Sequence, residues 1–155
     1  MSVSRSFPRS FDSIQRIFEF TAEAFARHRL NPRLLPTVDF VVEELFTNMV
    51  KYSAASRADV HIELVPLDNG VQVTLTDFDV EPFDVTRAPD ADVKLPIEQR
   101  RPGGLGLHLI RRLVDSVEYE YRENTRQSRI TFRKTGAGAP AVGGGAIPGV
   151  HDARD

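Results

Sequence analysis

The sequence predicts an α+β fold, a two-layer sandwich in which helices cover one face of a mixed or antiparallel sheet. The first observation is helical periodicity over residues 11–30 and 33–52, where apolar residues recur at three- and four-residue spacing. The second is alternation of apolar and polar residues over 60–64 and 71–76, which is typical of strands. Two more predicted strands, around 116–122 and 128–134, close the domain.

The first predicted helix begins near Asp12 or Ser13, either of which is placed to cap its N-terminus. Asn31-Pro32 ends it. Its apolar residues form the side that we expect to be buried. They are Ile14, Ile17, Phe18, Phe25 and Leu30.

The second predicted helix runs from about Arg33 to Tyr52 and carries three polar residues beside its apolar stripe. The stripe consists of Leu34, Leu35, Val38, Val42, Leu45 and Met49. Glu44 and Asn48 lie one turn apart on the same face, and Lys51 lies near them. These residues are expected at the border between core and solvent. An ordinary amphipathic boundary gives the same spacing, so the helix alone leaves their role open.

A carboxylate stands at the end of the predicted hairpin, whose turn signal is Asp68-Asn69-Gly70. Asp77 continues the apolar phase of residues 71–75, so its side chain is predicted to point into the core. A buried carboxylate needs a hydrogen-bond donor, and the amino group of a ligand would serve. The alternative is that the strand ends at Thr76 and Asp77 begins a turn.

A glycine cluster, RPGGLGLHLIRRL, lies at residues 101–113 and leads into a third predicted helix. Glycines allow close approach of the backbone to an anion, and a helix N-terminus offers unpaired N–H groups to phosphate. A hinge before a helix would look the same. The apolar residues of this helix are Leu105, Leu109, Ile110, Leu113 and Val114.

Composition limits the partners. The formal net charge of -2 provides no basic field for nucleic acid or for an anionic membrane. The absence of cysteine excludes disulfides and thiolate chemistry. The chain begins without a signal-like segment, and no stretch approaches the roughly 20 apolar residues of a membrane span. We therefore expect a cytoplasmic protein with one folded domain over residues 1–135 and a disordered Gly/Ala/Pro-rich tail over 136–155.

Taken together and in this order, the patterns resemble the nucleotide site of the GHKL ATPase superfamily, which has the histidine-kinase-like or Bergerat ATP-binding fold. EELFTN, residues 43–48, is similar to the superfamily's helix motif. LTD and then PFD, residues 75–77 and 82–84, resemble its adenine-pocket strand and loop. GGLGLHLIRRLVD, residues 103–115, is close to its second glycine motif. Within the superfamily, residues 5–134 most resemble the small anti-sigma-factor serine/threonine kinases.

The resemblance implies ATP and Mg²⁺ as ligands and a role for each matching residue. Asn48 would coordinate Mg²⁺, Glu44 would be the general base, and Asp77 would accept a hydrogen bond from the adenine amino group. The phosphates would be held by Gly103, Gly104, Leu105, Gly106, Lys51, Arg100 and Arg101.

Two departures from the family pattern affect the expected site. Asp79 stands where the family has a glycine, and it is expected to bring a second carboxylate near the adenine pocket. Gln127-Ser128 stands in place of Gly-Thr, and Ser128 keeps the hydroxyl that would bind the nucleotide. The catalytic helix and the phosphate glycines match, which favours a working site.

By resemblance, the chain would be an ATP-dependent protein serine/threonine kinase that acts by anti-sigma-type partner switching. Its substrate would be a small antagonist protein with a phosphorylatable serine. The resemblance also allows a sigma factor as client and a homodimer through the first helix, where Arg16 and Glu19 are expected to be exposed. The alternative is an anti-sigma-like module, impaired in ATP binding, that sequesters a regulator without kinase activity.

Overall fold

The computed structural model describes residues 1–53, 55–82 and 104–136, with the backbone alone for 104–107. Within these residues the chain forms three α-helices and one five-stranded sheet. The strands are β1 Val3–Phe7, β2 Val60–Leu67, β3 Gly70–Asp77, β4 Ser116–Arg122 and β5 Gln127–Thr135. The helices are α1 Ile14–Arg27, α2 Leu35–Tyr52 and α3 Gly104–Leu113, with 3₁₀ turns at Phe11–Ser13 and Pro32–Leu34. The predicted α+β class is confirmed.

The sheet has the strand order β1-β2-β3-β5-β4, and each neighbouring pair is antiparallel. The predicted hairpin is confirmed, since Leu67 pairs with Gly70 and Asn69 takes the left-handed conformation with a φ of 61°. At the other end of β3, Asp77 pairs with Ser128 of β5. This register brings two predicted site residues side by side.

The edge strand β1 escaped the sequence prediction. Its residues alternate, but Arg5 falls on the same face as Val3 and Phe7 and so interrupts the apolar pattern. The Arg5 guanidinium carbon lies 5.2 Å from the centroid of the Phe20 ring, so it covers the core edge through a cation–π contact.

Ser13, one of the two predicted cap residues, stands at the N-cap position of α1, but its side chain makes no capping hydrogen bond. Ser10 Oγ instead accepts a hydrogen bond from the Asp12 backbone N–H at 3.1 Å, which caps the 3₁₀ turn. The Ser13 hydroxyl donates to the Pro8 carbonyl oxygen at 2.7 Å and makes no cap to α1. The chain therefore enters α1 through an extra turn, which also fixes the segment just after β1.

The core lies between the described helices and one face of the sheet. In α2 the buried surface is wider than the predicted stripe, because Val41 and Phe46 are also fully buried while Leu35 and Met49 are only partly so. In α1, Phe20 is buried and the predicted Phe18 is only half-buried. Leu109 of α3, one of the apolar residues of this helix, is 45% exposed. Among the described residues, every helix is too short or too polar to span a bilayer.

The end of β5 is tied to the turn between β2 and β3. The Gly136 N–H donates to the Asn69 carbonyl oxygen at 2.7 Å. The rest of the predicted tail, residues 137–155, lies outside the described residues.

Candidate functional site

A cleft opens between the C-terminal half of α2 and the adjacent strands β3, β5 and β4. It encloses about 450 Å³, part of which is open to solvent. Its lining combines apolar side chains with convergent polar ones: Leu45, Asn48, Met49, Tyr52, Ser53, Asp77, Glu81, Tyr119, Ser128 and Ile130. An apolar cleft with a few polar groups is the usual form of a small-molecule site.

Three of the predicted site residues meet in this cleft. Asn48 reaches it from α2, while Asp77 and Ser128 reach it from paired positions on β3 and β5. They are far apart in the sequence, so the fold alone brings them together. Their convergence supports the interpretation that the segments carrying Asn48, Asp77 and Ser128 contribute to one site.

Asp77 faces the core side of β3 as its strand phase predicts, and its side chain is only 2% exposed. Its ion-pair partner is Arg9, whose side chain is 6% exposed. From the sequence, the hydrogen-bond donor to this carboxylate was expected to be the amino group of a ligand. In the structure, Arg9 of the same chain is a donor. Removing one partner of a buried pair typically costs about 3–5 kcal/mol, because the other charge is left buried and uncompensated.

Each of the five N–H groups of the Arg9 guanidinium has an acceptor. Nε donates to the Ala58 carbonyl oxygen at 3.2 Å. Nη1 donates to the Met49 carbonyl oxygen at 3.2 Å and lies 3.5 Å from Asp77 Oδ2. Nη2 donates to Asp77 Oδ1, and to Ser56 Oγ at 3.2 Å. Arg9 thus joins the end of α2, the following loop and the end of β3.

Ser56 completes this polar network. Its hydroxyl donates to the Phe78 carbonyl oxygen at 2.6 Å and accepts from the Ala58 backbone N–H at 3.2 Å. Ser56 is 3% exposed, so these bonds replace water at a buried position. The loop after α2 is therefore fixed to the residue that follows Asp77.

Glu44 lies one helical turn before Asn48 and is partly buried. Burial raises the pKa of the Glu44 carboxyl above its ordinary value, the positive charge of Lys51 opposes this, and the charge of Glu43 adds to it. Among the described residues, the cleft lining includes neither Glu44 nor Lys51. Glu44 nevertheless influences a residue of the lining, Tyr52. Burial raises the pKa of the Tyr52 hydroxyl, and the negative charge of Glu44 adds to this effect.

Asp79 does not bring a second carboxylate to the cleft, so that expectation is wrong. Its side chain is 68% exposed, and Oδ1 lies 3.2 Å from Nε of Arg126 in the turn between β4 and β5. Its backbone has a φ of 59°, the left-handed conformation that glycine adopts freely. Aspartate tolerates this conformation better than most residues, so the chain keeps the backbone path without the glycine.

The structure describes only some of the residues that were predicted to bind the phosphates. Gly104, Leu105 and Gly106 form the first turn of α3, as the sequence predicts for a glycine-led helix start. Gly103, Arg100 and Arg101 lie outside the described residues. Lys51 is exposed near the end of α2.

Several lining residues were missed at the level of sequence. Tyr119 lies on the same face of β4 as Tyr121, and alternation around 116–122 is the signal that could have marked it. The Tyr121 hydroxyl donates to the Val80 carbonyl oxygen at 2.7 Å, which holds the segment leading to Glu81 beside the cleft. No local pattern marks Arg9, because it lies in a short link between a strand and a helix.

Comparison with known families decides the identity of this arrangement. A family model for the histidine kinase-like ATPase domain matches residues 7–134, which span most of the chain. The chain belongs to the histidine kinase-like ATPase domain family. The predicted GHKL-type superfamily is thereby confirmed, and membership supports an ATP-binding or kinase-type function. Comparison with curated proteins finds no match.

The residues that line the cleft of this histidine kinase-like ATPase domain offer groups of the kind that a nucleotide and a magnesium ion would need. Leu45, Met49 and Ile130 offer apolar surface to a base. Asn48 offers a side-chain amide oxygen, and Mg²⁺ is a hard cation that takes oxygen ligands, substrate phosphates among them.

Proposed function

We propose that this chain is an ATP-dependent protein serine/threonine kinase of the anti-sigma-factor type. The observation that carries the proposal is the convergence of Asn48, Asp77 and Ser128 in one cleft, with Glu44 one helical turn from Asn48. The substrate is a serine of a small antagonist protein, and phosphorylation switches partners between that antagonist and a sigma factor. A second copy of the chain is a further proposed partner, and the exposed Arg16 and Glu19 of α1 are available to such contacts.

In the proposed reaction, the serine Oγ of the partner forms a bond to the γ-phosphorus of ATP. The bond between that phosphorus and the β–γ bridging oxygen breaks, and ADP leaves. The serine proton passes to the Glu44 carboxylate, whose raised pKa makes it a better proton acceptor. Asn48 holds Mg²⁺, which when bound neutralises charge on the phosphates. Asp77 orients the adenine of ATP by accepting a hydrogen bond from its amino group.

The test of this proposal uses γ-labelled ATP, Mg²⁺, the purified protein and an extract of the source cells. The proposal predicts a small labelled protein whose label is recovered as phosphoserine. Glu44→Gln should slow the labelling by roughly 100-fold or more, because it removes the proton acceptor. Glu43→Gln is the matched control, since Glu43 is an adjacent and exposed glutamate of the same helix. Labelling at the wild-type rate in Glu44→Gln contradicts the role of Glu44 as general base.

A second candidate is a binding module that sequesters a regulator without transferring phosphate. The observation that favours it is the ion pair between Arg9 and Asp77, because the carboxylate expected to bind adenine already has a partner in the chain. This candidate predicts no affinity for MgATP and a stable complex with the regulator. Saturable MgATP binding by the wild type contradicts it.

A further inference from the structure

We propose that Arg9 is a positioning residue for base recognition, which fixes the Asp77 carboxylate so that its free lone pairs meet an amino group in the cleft. The inference rests on the proposed nucleotide function. It adds to that function a residue outside the sequence motifs, in the link between β1 and α1.

Arg9 is fixed in place by contacts other than Asp77. Its guanidinium also binds the Met49 and Ala58 carbonyl oxygens and the Ser56 hydroxyl. If it moved aside when a ligand arrived, these buried acceptors would lose a charged donor. The pair is therefore a preorganised unit that stays intact when the cleft is occupied.

The paired carboxylate still has capacity to accept hydrogen bonds. An ionised carboxylate has about four lone-pair sites, and Arg9 faces one site on each oxygen. The remaining sites include those toward the cleft, since Asp77 is part of its lining. A nucleobase with an amino group at this position donates a hydrogen bond to the carboxylate. A nucleobase with a carbonyl oxygen there would place two acceptors against each other, which is unfavourable.

Arg9 also determines what kind of donor the site takes. It neutralises a carboxylate that is 2% exposed, so the site needs no cationic ligand to balance the charge. The matching partner is a neutral amino group. The preference for that group should consequently vary little with salt, unlike the binding of the phosphates.

The experiment compares two nucleotides that differ at this group, ATP and purine riboside triphosphate, which lacks the 6-amino group. Both are titrated with Mg²⁺ into the wild type, Arg9→Gln and Arg9→Lys. A hydrogen bond to a charged group predicts that the wild type prefers ATP by roughly 10- to 100-fold. In Arg9→Gln this preference should fall to near unity, while the affinity for the analogue changes by less than about threefold. Arg9→Lys should be intermediate, since lysine keeps the charge but not the fork of donors.

The control is Arg5→Gln, which changes an exposed arginine of β1 that pairs with Glu23 at 3.6 Å. It should retain the full preference for ATP. A purely structural role for Arg9 predicts equal loss of affinity for both nucleotides, and that result overturns the inference. A folded Arg9→Gln that keeps the preference also overturns it. Failure of the wild type to bind either nucleotide overturns the proposed function and this inference with it.

If both Arg9 variants fail to fold, a measurement on the wild type tests the proposed role of Arg9. The guanidinium N–H signals of Arg9 are followed by nuclear magnetic resonance during titration with MgATP. The inference predicts that these protons are protected from exchange with and without the nucleotide. Signals that broaden to those of a freely rotating guanidinium when ATP binds show that Arg9 moves aside, which contradicts the inference.

Discussion

Asp79 and Arg126 join two turns across the end of the sheet. The Asp79 carboxylate lies 3.2 Å from Nε of Arg126, and both residues take the left-handed conformation, with φ of 59° and 54°. The Val80 N–H between Asp79 and Glu81 donates to the Arg126 carbonyl oxygen at 3.0 Å. The loop that follows Asp77 is thereby attached to the turn between β4 and β5.

The left-handed conformation of Asp79 predicts an order of stability for two variants. Asp79→Gly should be more stable than Asp79→Ala by about 1 kcal/mol, because alanine is strained at this φ and glycine is not. Both variants lose the same exposed ion pair, so the comparison isolates the backbone. Urea unfolding monitored by circular dichroism measures the difference.

The control for this prediction is Asp59, an exposed aspartate that is not among the residues with positive φ. There the order should reverse, with alanine more stable than glycine by about 0.4–1 kcal/mol, because glycine gives the unfolded chain more freedom. The same order at both positions contradicts the account.

The environment of Glu44 predicts the pH dependence of phosphotransfer. A general base must be ionised, so the rate should rise with pH through the pKa of Glu44, which burial raises above the ordinary 4.5. Glu43→Gln removes a charge that raises this pKa, and the acid limb of kcat should move to lower pH. Lys51→Gln removes a charge that lowers it, and the limb should move to higher pH. Glu44→Gln should lower kcat by roughly 100- to 10,000-fold. Shifts in one common direction for the two charge variants exclude Glu44 as the group titrated.

Gly70 has no room for a side chain. A Cβ there would lie 2.8 Å from the Thr135 Cα, which is a backbone atom of the paired strand β5. Relieving this clash would require β3 or β5 to move, which would disturb their hydrogen-bonded register. Gly70→Ala should lower the free energy of unfolding by about 1–3 kcal/mol. Gly136→Ala is the matched control, because its closest contact is the Asn69 side chain, which can rotate away. Equal losses in the two variants contradict the proposed clash.

The contact between Thr21 and Asp39 predicts a stability that depends on pH. The Thr21 hydroxyl lies 2.6 Å from Asp39 Oδ1. Burial raises the pKa of Asp39, the Thr21 hydrogen bond opposes this, and the charge of Glu43 adds to it. The folded state thus favours the protonated acid, so its contribution is present at low pH and is lost as pH rises through the folded pKa. Asp39→Asn should stabilise the protein at neutral pH, by an amount that shrinks toward acid pH in urea unfolding. A gain that is constant with pH contradicts this assignment.

The sequence was sufficient for the parts of the fold with regular periodicity. The two strands joined at Asn69 and the helix α2 follow from local patterns, and so does the core-facing position of Asp77. The site residues Asn48 and Ser128 came from a resemblance of motifs, and the fold then placed both in the cleft with Asp77.

The parts that escaped prediction depend on contacts between distant segments. Arg9 and Asp77 are 68 residues apart, and nothing near Arg9 in the sequence indicates burial of its charge. The expectation for Asp79 was wrong because it rested on the place of this residue in the family pattern, two residues after Asp77, where a carboxylate was expected to reach the adenine pocket. Its actual direction depends on Arg126, 47 residues further along the chain.

The most direct test of the nucleotide site is a calorimetric titration of the wild type and Asp77→Asn with MgATP, after circular dichroism has shown that both are folded. The account predicts saturable binding by the wild type. It predicts affinity at least about tenfold weaker in Asp77→Asn, because the amide disrupts both the ion pair with Arg9 and the bond to the base. A folded wild type that does not bind MgATP contradicts the assignment of this cleft as a nucleotide site.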